Sequence, residues 1–418
     1  MIFKTFRRLA QAFRSRRMVV VLMLGVSAGI PYFLVGQTMK MWLSQSHIDI
    51  KTVGTFGMVG LAYTFKFTWA PLLDRYALPF LGRRRGWMLV FQLGLIAALL
   101  FMSTIDPAVD TERFAIAAVV VAFMAASQDI VIDAFNADLL TPEQRTAGSA
   151  TYVTGYKVGM LISGALAQRL SDDIVWPAIY IGMASFVVVG IAGTLLAEEP
   201  PPRPDRPKTI QATLVRPFVE FFTRLGTRRA LLVLAFAATY KFGEQYAQSL
   251  TIVLYTRDLH YSGAEIAYAN KLLGTIGFAI GGAIGGALAA QYGVRRMLVV
   301  FGLLQAVVQT GYIVIAASGH DVVVFGTVIF IENLSFAMAT STFQASLMGH
   351  VSPAVSATQF ALLTSLSSVG DRVFGWTTGY VQTALGWPGF FLVSIALGLP
   401  GLVVAWFALA PVTARRTT

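Results

Sequence analysis

The chain of 418 residues has no cysteine, which excludes a disulfide framework, a thiol nucleophile and a thiolate metal site. It has only four histidines, His47, His260, His320 and His350, scattered near the ends of apolar runs. Neither an H-E-x-x-H pair nor a G-x-x-x-x-G-K-[ST] loop occurs, so the common zinc-hydrolase and nucleotide-cleaving sites are excluded. Charge is scarce. Charged residues make up 13% of the chain, about half the usual share of a soluble domain. An ordinary soluble enzyme and a disordered chain are both ruled out.

Apolar residues reach 56%, with 30 phenylalanines, and the mean hydropathy is +0.66. The class is an all-α polytopic membrane protein, because only helices with internally satisfied backbones cross a bilayer in such apolar runs. The pattern predicts twelve spans: 18–43, 52–72, 86–105, 113–135, 147–168, 174–197, 230–255, 265–290, 296–318, 321–346, 355–381 and 386–411. A turn is expected in GHVSPAVSATQ at 349–359 and another near Trp387-Pro388.

The net charge of +11 does not indicate nucleic acid, because the excess sits in loops. With the N-terminus inside, the inner segments hold 22 basic residues and the outer loops four, so both termini are expected in the cytoplasm. The outer loops are short and acidic, including Asp106, Asp110, Asp172 and Asp321. The first apolar run reads as a span rather than a cleavable signal. The division expected is a basic tail 1–17, a bundle 18–197, a linker 198–229, a bundle 230–411 and a tail 412–418. The linker opens on EEPPPRPDRPK. Leu214, Phe218, Phe221, Phe222 and Leu225 then recur at helical spacing, which predicts an interfacial helix lying on the inner membrane face.

Six spans on each side of a linker call for an internal repeat. APLLDRYALPFLGRRRGW at 70–87 and GALAAQYGVRRML at 286–298 both place a small-residue turn, then Gly, then paired arginines at an inner loop. This resembles the loop signature of the major facilitator superfamily. The resemblance implies two pseudo-symmetric six-helix bundles. It gives Asp74, Arg75, Arg83, Arg84 and Arg85 a conformational role, fastening the helices of one half at their inner ends. Simple positive-inside anchoring is the alternative for the arginines.

Eleven charges fall within the expected spans: Lys40, Lys66, Lys157, Lys241, Lys271, Arg372, Asp129, Asp133, Glu244, Glu332 and Asp371. Each costs about 2.5–3.5 kcal/mol at the bilayer centre, so they must pair or face a watered interior. Asp129 and Asp133 stand four apart in SQDIVIDAFNAD, on one helical face. They serve either proton coupling or an ion-pair brace joined by Lys157. Tyr240, Lys241, Glu244, Gln245 and Gln248 form a polar stripe, read either as a solute path or as an internal pair. Arg372 is a candidate partner for a substrate carboxylate or for Glu332. Gly25/Gly29, Gly155/Gly159 and Gly277/Gly281/Gly285 predict close helix contacts.

Several strings resemble the muropeptide permease (AmpG-like) family. They are GIPYFLVGQTMKMWL at 29–43, AYTFKFTWAPLLDRYALPFLGRRRGW at 62–87, ASQDIVIDAF at 126–135, GYKVGMLISG at 155–164, YKFGEQYAQSL at 240–250, SATQFALLTSLSSVGDR at 356–372 and GWPGFF at 386–391. The resemblance implies a monomeric carrier of the bacterial inner membrane. Its substrates would be peptidoglycan fragments, N-acetylglucosaminyl-anhydromuramyl peptides, imported by proton symport and alternating access for cell-wall recycling. It implies no cofactor and no metal, with protons as the coupling ion and lipid and muropeptide as partners. Asp129, Tyr156 and Lys157 match family motif positions. Many relatives carry Arg at the place of Lys157, which leaves the substrate open. The alternative is another anionic solute, such as acetyl-coenzyme A, or a drug.

Overall fold

The computed structural model describes residues 15–141, 144–200, 219–351 and 356–408. The tails expected at 1–17 and 412–418, the proline-rich opening of the linker, Leu214 and Phe218 lie wholly or mostly outside these residues. So does the centre of the turn at 349–359.

Every regular element among the described residues is helical. In chain order these are α1 (Arg16–Leu34), α2 (Gln37–Gln45), α3 (Ile50–Thr55), α4 (Leu61–Phe65), α5 (Ala70–Arg75) and α6 (Arg83–Ser103). There follow α7 (Thr111–Leu139), α8 (Arg145–Leu161), α9 (Ala167–Leu170), α10 (Trp176–Leu196), α11 (219–225), α12 (Thr227–Thr239) and α13 (Phe242–Val253). The last are α14 (Gly263–Ala267), α15 (Gly274–Tyr292), α16 (Val294–Gln309), α17 (Gly311–Ser318), α18 (Val322–Met348), α19 (Ser356–Ser367), α20 (Val369–Phe374) and α21 (Thr377–Ala408).

Eight helical stretches of the described residues are long and apolar enough to cross a membrane. The stretches 52–72, 230–255 and 355–381 are helical in pieces, and 147–168 passes through a π turn at Ile162–Leu166. These four hold Lys66, Lys157, Lys241, Glu244 and Arg372, whereas Asp129, Asp133 and Glu332 lie on the unbroken helices α7 and α18. The turn expected near Trp387 lies at Gly386, whose φ of 66° is one that favours glycine.

Acidic residues of the expected outer loops cap helices. Asp110 accepts from the Arg113 amide, and Asp321 from the amides of Val323 and Val324. A carboxylate there satisfies donors the helix leaves unpaired and opposes its dipole.

The helices form two compact units. The first draws its described residues from Met1–Asp49, Val59–Arg206 and Ser262–Ala267; the second from Ile50–Met58, Pro207–Tyr261 and Tyr268–Thr418. In the first unit, α1 packs on α8 through Gly25, Gly29, Gly155 and Gly159. A Cβ at Gly29 would strike the Tyr156 carbonyl, and one at Gly159 the Val26 carbonyl. The Asp172 carboxylate accepts from the amides of Gly263 (2.6 Å) and Ala264 (2.8 Å), fixing the start of α14 to this unit. In the second unit, α15 packs on α18 through Gly277, Gly281 and Gly285, and α3 lies against α21 at Gly54 and Gly379.

The linker's α11 belongs to the second unit. Phe221 is buried in its core with Phe222 and Leu225 against it, so this face meets protein where the periodicity suggested lipid. Glu220 pairs with Arg224 at 2.8 Å and accepts from Gln359, and Arg224 donates to the His350 carbonyl at 2.6 Å. His350 lies in the loop after α18, with Nδ1 at 2.8 Å from the Ser346 carbonyl. Burial pushes its imidazole below the ordinary value, and the Arg229 and Arg224 charges add to this against the Ser346 hydrogen bond.

At the contact of α1 with α8, Gly29→Ala forces backbone against backbone and should cost about 1–3 kcal/mol. Gly182→Ala, where an added Cβ meets nothing, should leave the thermal unfolding midpoint in detergent unchanged. The unfolded chain protonates His350 more readily than the folded one, so stability should fall as pH drops below the ordinary histidine value. His350→Gln should flatten that slope in unfolding series run from neutral to mildly acid pH.

Candidate functional site

Each unit carries a cluster of ionisable side chains within its expected spans. In the first, α7 presents Asp129 and Asp133 on one face, as the i, i+4 spacing requires. Their cation is Lys66, from the short 3-10 turn Lys66–Thr68, with Nζ 3.7 Å from Asp129 and 4.0 Å from Asp133. The sequence reading offered Lys157 for this place. The 3-10 turn supplies Lys66 instead, and Lys157 lies on the exposed side of α8. Asp129 is buried, while the Asp133 side chain is 57% exposed. The Tyr156 ring lies 6.3 Å from Tyr32 and 6.2 Å from Tyr152. Two carboxylates thus share one ammonium at an aromatic-lined opening. Gln128 extends the polar stripe to Ser27 at 3.3 Å.

In the second unit, the seventh expected span breaks between α12 and α13, and Lys241 sits at the break. Its Nζ lies 3.2 Å from Glu244 Oε2 and 3.8 Å from the centre of the Phe336 ring. Gln248 Nε2 donates to Glu244 at 2.5 Å and to Glu332 of α18 at 3.3 Å. Gln305 of α16 also donates to Glu332, at 3.4 Å. A cleft of about 30 Å³ opens beside Lys241, Glu244, Gln305 and Gln309, enough for one water. Tyr240 borders it, but its hydroxyl donates to the Leu298 carbonyl at 2.8 Å. Gln245 is half-buried on α13, Lys271 on the π turn Tyr268–Leu273 and Arg372 on α20. Lys241, Glu244 and Glu332 are thus brought into one cluster, with Lys271 and Arg372 on other elements of the same unit.

The expected inner loop after α5 is tied within the first unit. Arg84 Nε lies 3.1 Å from Asp138 and Arg83 3.7 Å from it, with Arg84 and Asp138 both buried. Glu199 accepts from the amides of Arg84 (2.8 Å) and Arg85 (3.0 Å), capping α6 at its positive end. Arg85 in turn donates to the Thr194 and Leu195 carbonyls at the negative end of α10. Arg75 ends α5, and the Asp74 side chain lies outside the described residues.

Sequence reasoning singled out neither Asp138, Glu199, Tyr152, Gln305 nor Gln309. Asp138 closes the SQDIVIDAFNAD string and was there to be weighed. Gln305 and Gln309, four apart in an otherwise uncharged span, were a fainter signal of the same kind.

The sequence pattern of the Major Facilitator Superfamily matches residues 18–374. The chain is 40% identical over 393 residues to the anhydromuropeptide permease of Escherichia coli (strain K12), covering 94% of this chain and 79% of that protein. It is 29% identical over 410 residues to putative transporter AmpG 4 of Rickettsia conorii, covering 96% and 98%. Among solved structures, a bacterial homolog of the human lysosomal transporter Spinster superposes with a TM-score of 0.69 at 16% identity, over 94% of this chain and 97% of that one. That likeness concerns the fold alone.

Removing Asp138 leaves Arg84 buried without that carboxylate, and breaking a buried pair costs about 3–5 kcal/mol. Asp138→Ala should therefore lower the stability of the purified protein by that order, as read from its unfolding midpoint.

Proposed function

The chain belongs to the major facilitator superfamily, in the family of the anhydromuropeptide permeases, and from that premise we propose that it imports muropeptides by proton symport. A secondary transporter of the bacterial inner membrane needs a path for its solute and an ion to drive it. The observation that carries the reading is 40% identity along 94% of the chain to a protein named for that substrate.

In this reading twelve spans form two six-helix bundles, 18–197 and 230–411, joined by the linker 198–229, with both termini in the cytoplasm. The carrier acts as a monomer by alternating access. The chemistry suits the solute. A muropeptide offers carboxylates, amides and sugar hydroxyls, and Lys66, Lys157, Lys241, Lys271 and Arg372 are cations for the carboxylates. Tyr156 and Tyr240 offer ring faces with polar edges. Gln245 supplies an amide, and Asp129, Asp133, Glu244 and Glu332 are carboxylates able to carry a proton. The loop between α5 and α6, with Asp74 and Arg75 at one end and Arg83, Arg84 and Arg85 at the other, serves as the conformational switch. The ties of Asp138 and Glu199 support this by fastening inner helix ends within one unit.

The test is uptake of labelled N-acetylglucosaminyl-anhydromuramyl peptide into proteoliposomes with an imposed pH gradient. Accumulation should collapse without the gradient, and acetyl-coenzyme A should not compete. Asp129→Asn should reduce gradient-driven uptake by a larger factor than substrate exchange. Lys241→Met and Arg372→Met should each weaken binding about tenfold, the worth of one charge-assisted hydrogen bond. Uptake indifferent to the gradient would refute proton symport.

A further inference from the structure

We propose that Glu332 is a proton-binding site of the second unit, whose carboxylate gains and loses a proton as the carrier turns over. The first observation is charge. Glu332 is 1% exposed, in the middle of α18. The titratable groups facing it are Lys241 and Glu244 on the α13 side, Tyr255 on the π turn Leu254–Asp258 and Tyr312 on α17. Two carboxylates thus face one ammonium, and that ammonium lies 3.2 Å from Glu244. Among the described residues Glu332 forms no ion pair. Its hydrogen-bond partners are the Gln248 and Gln305 amides. A buried carboxylate whose hydrogen bonds come from neutral groups, and which shares its one nearby ammonium with a closer carboxylate, is cheaper with a proton than without.

The second observation is the nature of those partners. A glutamine amide has donors at one end and an acceptor at the other. With Glu332 ionised, Gln248 and Gln305 each direct Nε2 at its Oε1. Gln305 Oε1 is buried without a hydrogen-bond partner. A half-turn of that amide brings this oxygen towards Glu332, where it accepts from the O–H of the protonated acid. Both protonation states are therefore hydrogen-bonded by the same residue, which a purely structural carboxylate would not need.

The third is access. Gln248 is exposed although its amide reaches both carboxylates, and the one-water cleft touches Glu244 and Gln305. A proton from water on the side of higher acidity forms the O–H bond on Glu332. The same bond breaks when the proton returns to water on the other side, so the step is balanced.

The inference rests on the proton-symport reading, but its first test does not need the substrate. Infrared difference spectra of the purified full-length protein between acid and alkaline pH should contain a carboxylic-acid carbonyl band. Glu332→Gln, which keeps the side chain's shape, should remove one component of that band, whereas Glu244→Gln should retain that component. An unchanged unfolding midpoint for Glu332→Gln is the folding control. In proteoliposomes Glu332→Gln should lose pH-gradient-driven accumulation to a greater extent than exchange. Superimposable infrared spectra of wild type and Glu332→Gln would overturn the proposal, as would gradient-driven uptake at the wild-type rate. If the wild type fails to take up muropeptide, the substrate reading fails, and the infrared result still decides on Glu332.

Discussion

Hydrocarbon does not solvate charge, and an ionised side chain facing lipid at mid-depth gives up several kcal/mol that a helix cannot recover elsewhere. Much of this molecule's arrangement answers that constraint. Lys66 stands between Asp129 and Asp133, and Lys241 beside Glu244, each a cation set among carboxylates. Neither lysine comes from the interior of a regular helix. Lys66 begins a 3-10 turn and Lys241 occupies the break between α12 and α13, where freed backbone lets a long side chain turn inward. For these two lysines broken helix and inward charge go together, since irregular backbone is tolerated at membrane depth only where protein or water surrounds it.

The inner ends of the first unit apply the same electrostatics to whole helices. Glu199 closes the positive end of α6, and Arg85, one turn into that helix, closes the negative end of α10. The first turn of α6 and the segment just after α10 therefore neutralise two dipole ends and join two helices that are far apart in sequence. The glycine contacts add rigidity of another kind. Where α1 meets α8, carbonyls occupy the space that side chains would fill, so the two backbones lie in direct contact.

Much of this was legible in the sequence. The apolar runs and basic loops announced the class, and the strings around Asp129 and Glu244 carried the family resemblance that the match to the superfamily and to the permease bears out. The face shared by Asp129 and Asp133 comes from helix geometry alone. Their partner did not, because whether Lys66 or Lys157 reaches them depends on a turn of backbone that periodicity does not encode. The break at Lys241 was equally invisible, since the polar stripe reads as an unbroken helix. Gln305 and Gln309 were passed over because an uncharged amide in an apolar run looks like ordinary packing until a carboxylate is found beside it. The membership of Ile50–Met58 in the second unit and Ser262–Ala267 in the first is a tertiary fact with no local signal.

The π turn at Ile162–Leu166 houses more residues per revolution than the α-helix on either side. It sets the direction in which the helical turn beyond it projects. Excising one residue there would rewind the segment to a regular helix and swivel everything downstream by roughly 100°. Asp172 would be carried off the amides of Gly263 and Ala264, so the phasing of a single wide coil decides whether the two chain segments find each other at all.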